Sequence, residues 1–170
     1  LINEQMSKPG TCSLGYNSLR FDDEFTRFGL YRNFFDAYAR EWQGGNSRWD
    51  LIDLVRTAAS IRPEGINWPR NEAGEIVLKL DQLAPANGIE HANAHDALAD
   101  VRATIELARL LKKAQPRLYS YVFQLKHKAQ VWEQLDLQMQ KPVLHVSSMY
   151  GRDNGYLSLV GAFSKHPSNN

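Results

Sequence analysis

Two short stretches carry side chains whose types and spacing could do chemistry. In Asn93-Ala94-His95-Asp96-Ala97-Leu98-Ala99-Asp100 a histidine stands five residues before an aspartate. A neutral imidazole can take a proton from water near pH 7, and a carboxylate can hold a hard cation such as Mg²⁺. Side chains five apart in one helix point about 140° from each other, so the pair converges only if His95 lies at or before the first turn. Asn93 as the cap would allow that. The plain alternative is that Asp96 and Asp100 favour the positive helix N-terminus, with His95 a surface residue. In Gly15-Tyr16-Asn17-Ser18-Leu19-Arg20-Phe21-Asp22, a strand end leads through a loop to an aspartate at a helix start, a good place for a metal-binding carboxylate. Here the alternative is that Asp22 or Asp23 caps the helix and Phe21 is a hydrophobic staple.

The elements that must position these residues follow from periodicity. Thr11 to Tyr16 reads as a short, mostly buried strand after the Pro9-Gly10 turn. Phe25 to Trp42 has apolar side chains at helical spacing, among them Phe28, Tyr31, Phe35 and Tyr38, behind the acidic start Asp22-Asp23-Glu24. Gly44 to Ser47 breaks that pattern and caps a second helix with Leu51, Leu54, Val55 and Ala58 on its inner face, ended by Arg62-Pro63. A short helix over Lys79–Leu83 ends near Pro85, with Gly88 closing it. The clearest helix runs from Ala94 to Lys113, with Leu98, Val101, Ile105, Ala108 and Leu111 on one face. Arg117 to Leu135 predicts one further helix. After Gln140, Val143–Val146 and Tyr156–Val160 predict two strands joined by a hairpin-type connection through Gly151–Gly155.

Composition narrows the class. The 170 residues include 20 Lys+Arg and 19 Asp+Glu, a net charge of +1, with 43% hydrophobic residues. That is an ordinary globular chain rather than a disordered one. Among the ordinary consequences is a core of useful size. No run of about 18 apolar residues offers a membrane-spanning helix. The single cysteine, Cys12, cannot form an intrachain disulfide and reads as a small buried hydrophobe. No signal peptide is visible, and Leu1 in place of Met leads us to expect a segment of a longer protein.

A ligand of negative charge is compatible with the second half of the chain. From Leu107 to Trp132 the charged residues are Arg109, Lys112, Lys113, Arg117, Lys126 and Lys128, with Tyr119, Tyr121, Phe123 and Trp132 interleaved. Basic side chains track phosphates and aromatic rings stack on unpaired bases, which suits single-stranded DNA. The competing reading is a solvated basic face over a buried aromatic stripe, since Tyr119 and Phe123 stand at i,i+4. His91 and His95 are four apart, but no Glu follows His91 and the segment reads as a loop, so a zinc pair is not expected.

Taken together, the two chemical stretches resemble the DEDD superfamily of 3′→5′ exonucleases. Gly15 to Asp22 resembles the second motif, with the Asn-to-Asp spacing one residue longer than usual, and His95 to Asp100 resembles the third motif of the histidine-containing branch. The flanking text Arg20-Phe21-Asp22-Asp23-Glu24, Ser47-Arg48-Trp49-Asp50-Leu51, Arg62-Pro63-Glu64-Gly65-Ile66-Asn67-Trp68-Pro69, Ala86-Asn87-Gly88-Ile89-Glu90-His91 and Gln115-Pro116-Arg117-Leu118 is similar to the bacterial exodeoxyribonuclease I family. The resemblance implies an α/β fold: part of a ribonuclease-H-like exonuclease domain, a mixed sheet with helices, over residues 1–114. Residues 115–170 would be a linker helix and the beginning of a small SH3-like β domain. It implies single-stranded DNA as substrate, mononucleotides as product and two Mg²⁺ ions. Asp22 and Asp100 would hold metal and His95 would be the general base, with Lys112, Lys113, Arg117, Tyr121, Lys126 and Lys128 as candidate DNA contacts. It further implies a bacterial cytoplasmic repair enzyme whose partner is the single-stranded DNA-binding protein.

The superfamily's first motif, Asp-x-Glu on a strand, is not in this sequence; the only formal match, Asp22-Asp23-Glu24, belongs to the second. The 170 residues alone are therefore expected to be inactive. Two other functions compete: a catalytically silent nucleic-acid- or protein-binding module, and, more distantly, a metal phosphohydrolase built on His95-Asp96.

Overall fold

The computed structural model describes residues 1–91, 96–165 and 167–168. A short helix α1 (Ile2–Met6) leads into strand β1 (Cys12–Gly15), and helix α2 (Asp22–Arg32) follows. Strand β2 (Ser47–Asp50) then pairs parallel to β1, with Cys12 opposite Ser47 and Gly15 opposite Asp50. Helix α3 (Leu51–Ile61) starts directly from β2. Helices α4 (Leu80–Ala86), α5 (Ala97–Ala114), α6 (Pro116–Gln124) and α7 (Lys128–Gln134) precede an antiparallel hairpin of β3 (Val143–Val146) and β4 (Leu157–Val160).

The core lies where α3, α4, α5 and α6 meet the buried end of β2. Leu51, Leu54, Val55 and Ala58 of α3 pack with Leu83, Leu107 and Leu111. Trp49 on β2 adds edge-to-face contacts to Tyr119 (5.3 Å between ring centres) and Phe123 (4.9 Å) of α6. Tyr119 and Phe123 are thus part of the packing, as the aromatic-stripe alternative has it. Tyr16 ties β1 to the far side by donating its hydroxyl to the Leu78 carbonyl, and burial pushes that hydroxyl's pKa up. The hairpin is seated on α3, where the Ser60 hydroxyl donates to the Gly155 carbonyl at 2.5 Å.

Several expectations from periodicity are corrected. Helix α2 stops at Arg32, not Trp42, because Phe34 takes a left-handed φ of 62°. The Phe34 and Phe35 amides then donate back to the carbonyls of Tyr31 and Leu30, a Schellman end that satisfies the last carbonyls. Phe28, Tyr31, Phe35 and Tyr38, the apolar side chains at helical spacing, are exposed. Ser47 is not part of a helix cap but opens β2, and the cap of α3 is Asp50. Short helix α4 continues through Pro85 to Ala86. Helix α5 begins at Ala97 under Asp96, whose carboxylate accepts from the Ala99 amide at 3.2 Å. The expected cap Asn93 lies outside the described residues. Leu98, Val101 and Ile105 are exposed, while Ala103, Thr104 and Leu107 join Ala108 and Leu111 on the buried face. The single helix expected over Arg117–Leu135 is two, α6 and α7, separated where His127 turns to extended backbone.

Candidate active site and DNA groove

Asp22 is the first residue of α2, exposed, and neither it nor Asp23 caps the helix; that position belongs to Phe21, which makes no capping bond. What sets the place of Asp22 is the preceding loop. Gly15 lets Ser18 fold back against β1, since a Cβ there would collide with the Ser18 side chain. Asn17 follows with a left-handed φ of 57°. The Ser18 carbonyl then accepts the amides of Phe21 (3.2 Å) and Asp23 (3.1 Å), the residues on either side of Asp22. Asp50, buried at the end of β2, accepts from the amides of Asn17 (2.7 Å), Leu19 (3.2 Å) and Ile52 (3.1 Å).

Asp23, next to Asp22, is buried in an ion cluster. Its carboxylate accepts from Arg40 Nη2 at 2.8 Å and Arg48 Nη1 at 2.6 Å. Glu41 joins the cluster through Arg27 Nε (2.8 Å) and Arg48 Nε (3.1 Å). Burial works against ionising Asp23, but the hydrogen bonds and charges of Arg40 and Arg48 outweigh it and hold its pKa below the ordinary carboxylate range. The start of α2 is therefore anchored on both flanks, by Ser18 and by these arginines.

Asp100 sits in the first turn of α5, partly exposed. Its Oδ1 lies 2.6 Å from Nε2 of His91, whose side chain is almost wholly buried. His91 thus touches a candidate metal ligand. His95 lies outside the described residues. Asp22 and Asp100 offer oxygen donors of the kind a hard divalent cation takes. Among the described residues they belong to no group of three or more His, Cys, Asp or Glu side chains able to hold a metal.

The candidate DNA contacts separate into two sets. A groove of about 1210 Å³ runs between β2 and α3 on one side and α6, α7 and β3 on the other. Tyr121, Lys126 and Lys128 line it, together with Arg48, Trp42 and Trp49 and with the acids Glu41, Asp50 and Asp53. Lys126 lies 3.7 Å from the centre of the Phe123 ring, and the Tyr121 hydroxyl donates to Gln134 at 3.0 Å. Lys112, Lys113 and Arg117 are not among its lining residues; Lys112 instead lies 5.7 Å from the Tyr119 ring centre.

Sequence reasoning missed the roles of Asp50, Asp23 and His91. Asp50 alone had a usable signal, an aspartate immediately before the apolar-periodic run Leu51–Ile61. Nothing local marks Asp23 as buried or His91 as the neighbour of Asp100.

A strand-loop-helix that presents one carboxylate, a second carboxylate on the first turn of a long helix and a groove lined by lysines and aromatic rings are features expected of a nuclease domain. Residues 3–108 match the exonuclease family model, and the chain belongs to that family. Residues 126–170 match the exonuclease I SH3-like domain. The chain is similar to exodeoxyribonuclease I of Escherichia coli strain K12, with 51% identity over 168 residues, covering 99% of this chain and 35% of the relative. It is likewise similar to a chain in the crystal structure of E. coli exonuclease I in complex with a dA16 oligonucleotide, with a TM-score of 0.94, 50% identity and coverage of 99% of this chain and 36% of that one. A chain in a structure described as an ExoI/SSB-Ct complex matches with a TM-score of 0.92, 49% identity and the same coverages. The chain thus spans about a third of the length of the relatives it matches.

Proposed function

We propose that the chain is the part of a bacterial 3′→5′ exodeoxyribonuclease that carries the second and third motifs of its active site. Residues 1–114 would belong to the exonuclease domain and residues 115–170 to a linker and the beginning of the SH3-like domain. The substrate is single-stranded DNA, released as mononucleotides in the bacterial cytoplasm during DNA repair. The observation that carries this reading is the 51% identity to the E. coli enzyme across 99% of the chain.

In this reading Asp22 and Asp100 hold two divalent cations, Mg²⁺ in the cell, with further ligands from the rest of the enzyme. Bound there, the cations would clamp the scissile phosphate and acidify the attacking water. His95 takes the remaining proton from that water, a task suited to an imidazole whose ordinary pKa is about 6.5. His91 holds the Asp100 carboxylate in orientation through its Nε2 contact. Tyr121, Lys126 and Lys128 guide the strand along the groove, the lysines by phosphate contact and the tyrosine by stacking. The single-stranded DNA-binding protein is the proposed protein partner, supported by the similarity to the ExoI/SSB-Ct structure.

The direct test assays end-labelled single-stranded DNA with two polypeptides, residues 1–170 and the chain at the length of its relatives, each with Mg²⁺ and with chelator. Mononucleotides released from the 3′ end by the longer chain alone, and only with metal, are expected. Metal-independent hydrolysis, or equal activity of both, would overturn the two-metal assignment. Binding without hydrolysis by either would favour a silent nucleic-acid-binding module.

The groove makes a separate prediction. Replacing Lys126 or Lys128 with alanine should weaken single-stranded DNA binding and reduce the slope of log K against log salt by roughly 0.7 per lost contact. Replacing Lys112 or Lys113, outside the groove, should leave the slope unchanged. Equal slopes for all four variants and the unaltered protein would remove the groove from the DNA path.

A further inference from the structure

We infer that Asp50 is a positioning residue for the metal-binding carboxylate of Asp22, acting through the backbone of the loop between β1 and α2. The inference rests on the metal role proposed for Asp22. Both oxygens of Asp50 are committed: Oδ1 accepts from the amides of Asn17 and Ile52, and Oδ2 accepts from the amide of Leu19. A cap for α3 needs only the Ile52 bond, so the two bonds to Asn17 and Leu19 are additional. Those two amides flank Ser18. The Ser18 carbonyl in turn accepts from the amides of Phe21 and Asp23, which flank Asp22.

A relay of hydrogen bonds of 2.7–3.2 Å therefore runs from Asp50, a buried residue, to the residue that would carry the metal. Its starting point is rigid, because Asp50 pairs with Gly15 in the parallel register and stands at the junction of β2 and α3. Its middle turns at Asn17, which holds a left-handed φ of 57° that asparagine tolerates better than other side chains, and the Asp50 bonds to the Asn17 and Leu19 amides hold the loop at that turn. A carboxylate accepting several backbone amides is the strongest local means of fixing such a loop. The carboxylate of Asp23 fixes only the far flank. Loss of Asp50 releases the near flank and lets Asp22 drift from the position a cation requires.

The test uses the chain at the length of its relatives. Mn²⁺ binding to the DNA-free enzyme is followed by the electron paramagnetic resonance of the free ion, alongside kcat and KM on single-stranded DNA. Asp50→Ser keeps a good cap for α3 but is too short to reach the loop. Asp50→Asn keeps the shape and one acceptor. We expect Asp50→Ser to weaken Mn²⁺ binding about tenfold or more, the range for partners that orient metal ligands, and Asp50→Asn to weaken it less. The KM for DNA should stay within about twofold while kcat falls. Asp22→Asn is the control for the underlying reading. If it weakens Mn²⁺ binding and both Asp50 variants bind Mn²⁺ as the unaltered enzyme does, the positioning role is overturned and the metal role of Asp22 stands. If Asp22→Asn itself leaves Mn²⁺ binding unchanged, both fall. A lower melting temperature in Asp50→Ser with unchanged Mn²⁺ affinity would reduce Asp50 to a structural residue.

Discussion

Replacing His95 with alanine, in the chain at the length of its relatives, should lower kcat on single-stranded DNA by about 10²–10⁴-fold, the usual cost of removing a general base. The KM for DNA should change little. The expectation follows from the chemistry of the step and the spacing His95 to Asp100. Hydrolysis needs a water proton removed beside the scissile phosphate, and a side chain making contact only in the transition state changes kcat rather than ground-state binding. The pH profile supplies a second readout. A base must be neutral to act, so the rate of the unaltered enzyme should rise with pH as an imidazole loses its proton. That limb should disappear in the alanine variant. A parallel loss of DNA affinity and rate, with the limb retained, would make His95 a binding residue.

The second large effect is on stability. Asp23→Ala should destabilise the fold by about 3–5 kcal/mol, the range for removing one partner of a buried ion pair. Arg40 decides the size: its side chain is 2% exposed and donates to Asp23 at 2.8 Å, so losing the carboxylate leaves a buried guanidinium with the longer 3.7 Å contact to Glu41 as its remaining ion pair. Arg48 is about one-third exposed, and Arg48→Ala should cost less than about 1 kcal/mol. Urea unfolding of the three proteins measures both, and a loss below about 1 kcal/mol for Asp23→Ala would show that the cluster rearranges without cost.

The same cluster carries a pH dependence whose sign is fixed. Arg40 and Arg48 hold the Asp23 pKa below its unfolded value, despite burial. Its stabilising contribution is therefore complete above the ordinary carboxylate range and is lost as pH falls below about 4, through the folded value. The stability gap between the unaltered protein and Asp23→Asn should accordingly narrow in acid. A gap constant from pH 7 down to pH 3 would mean that Asp23 is not held ionised by the arginines.

Helix ends show where local information suffices and where it fails. Helix α4 and helix α2 finish with the same Schellman arrangement. In α4 the left-handed position is Gly88, a residue at ease there, and the end near Gly88 was legible in the sequence. In α2 the same position is Phe34, which no residue preference marks, and the apolar spacing of Phe35 and Tyr38 argues for continuation. The hairpin of β3 and β4 was legible for a similar local reason, since its strands are joined by a glycine-bounded turn and need little else to find each other. The parallel partner of β1 was not. Ser47-Arg48-Trp49-Asp50 lacks the alternation of a half-buried strand, and its register with Cys12–Gly15 spans 35 residues of chain.

The sequence by itself determined the residue types of the candidate site and their attachment to helix starts: Asp22 after a glycine-turned loop, and Asp100 one turn into a long helix. It also determined that α3 and α5 would be amphipathic, because a 3.6-residue period is written in side-chain polarity alone. Only the tertiary structure decided which side of α5 is inside. Its apolar residues go almost round the helix, and packing against α3, α4 and α6 chose Ala103, Leu107 and Leu111 over Leu98, Val101 and Ile105. Likewise only the tertiary structure made Asp23 an ion-pair residue, Asp50 a clamp on the loop before Asp22, and His91 the neighbour of Asp100. The first two depend on partners 17 to 33 positions away in the chain, and the third on the path between His91 and helix α5. Hydrogen bonds and ion pairs act over about 3 Å, so these roles exist only once the fold has set those distances.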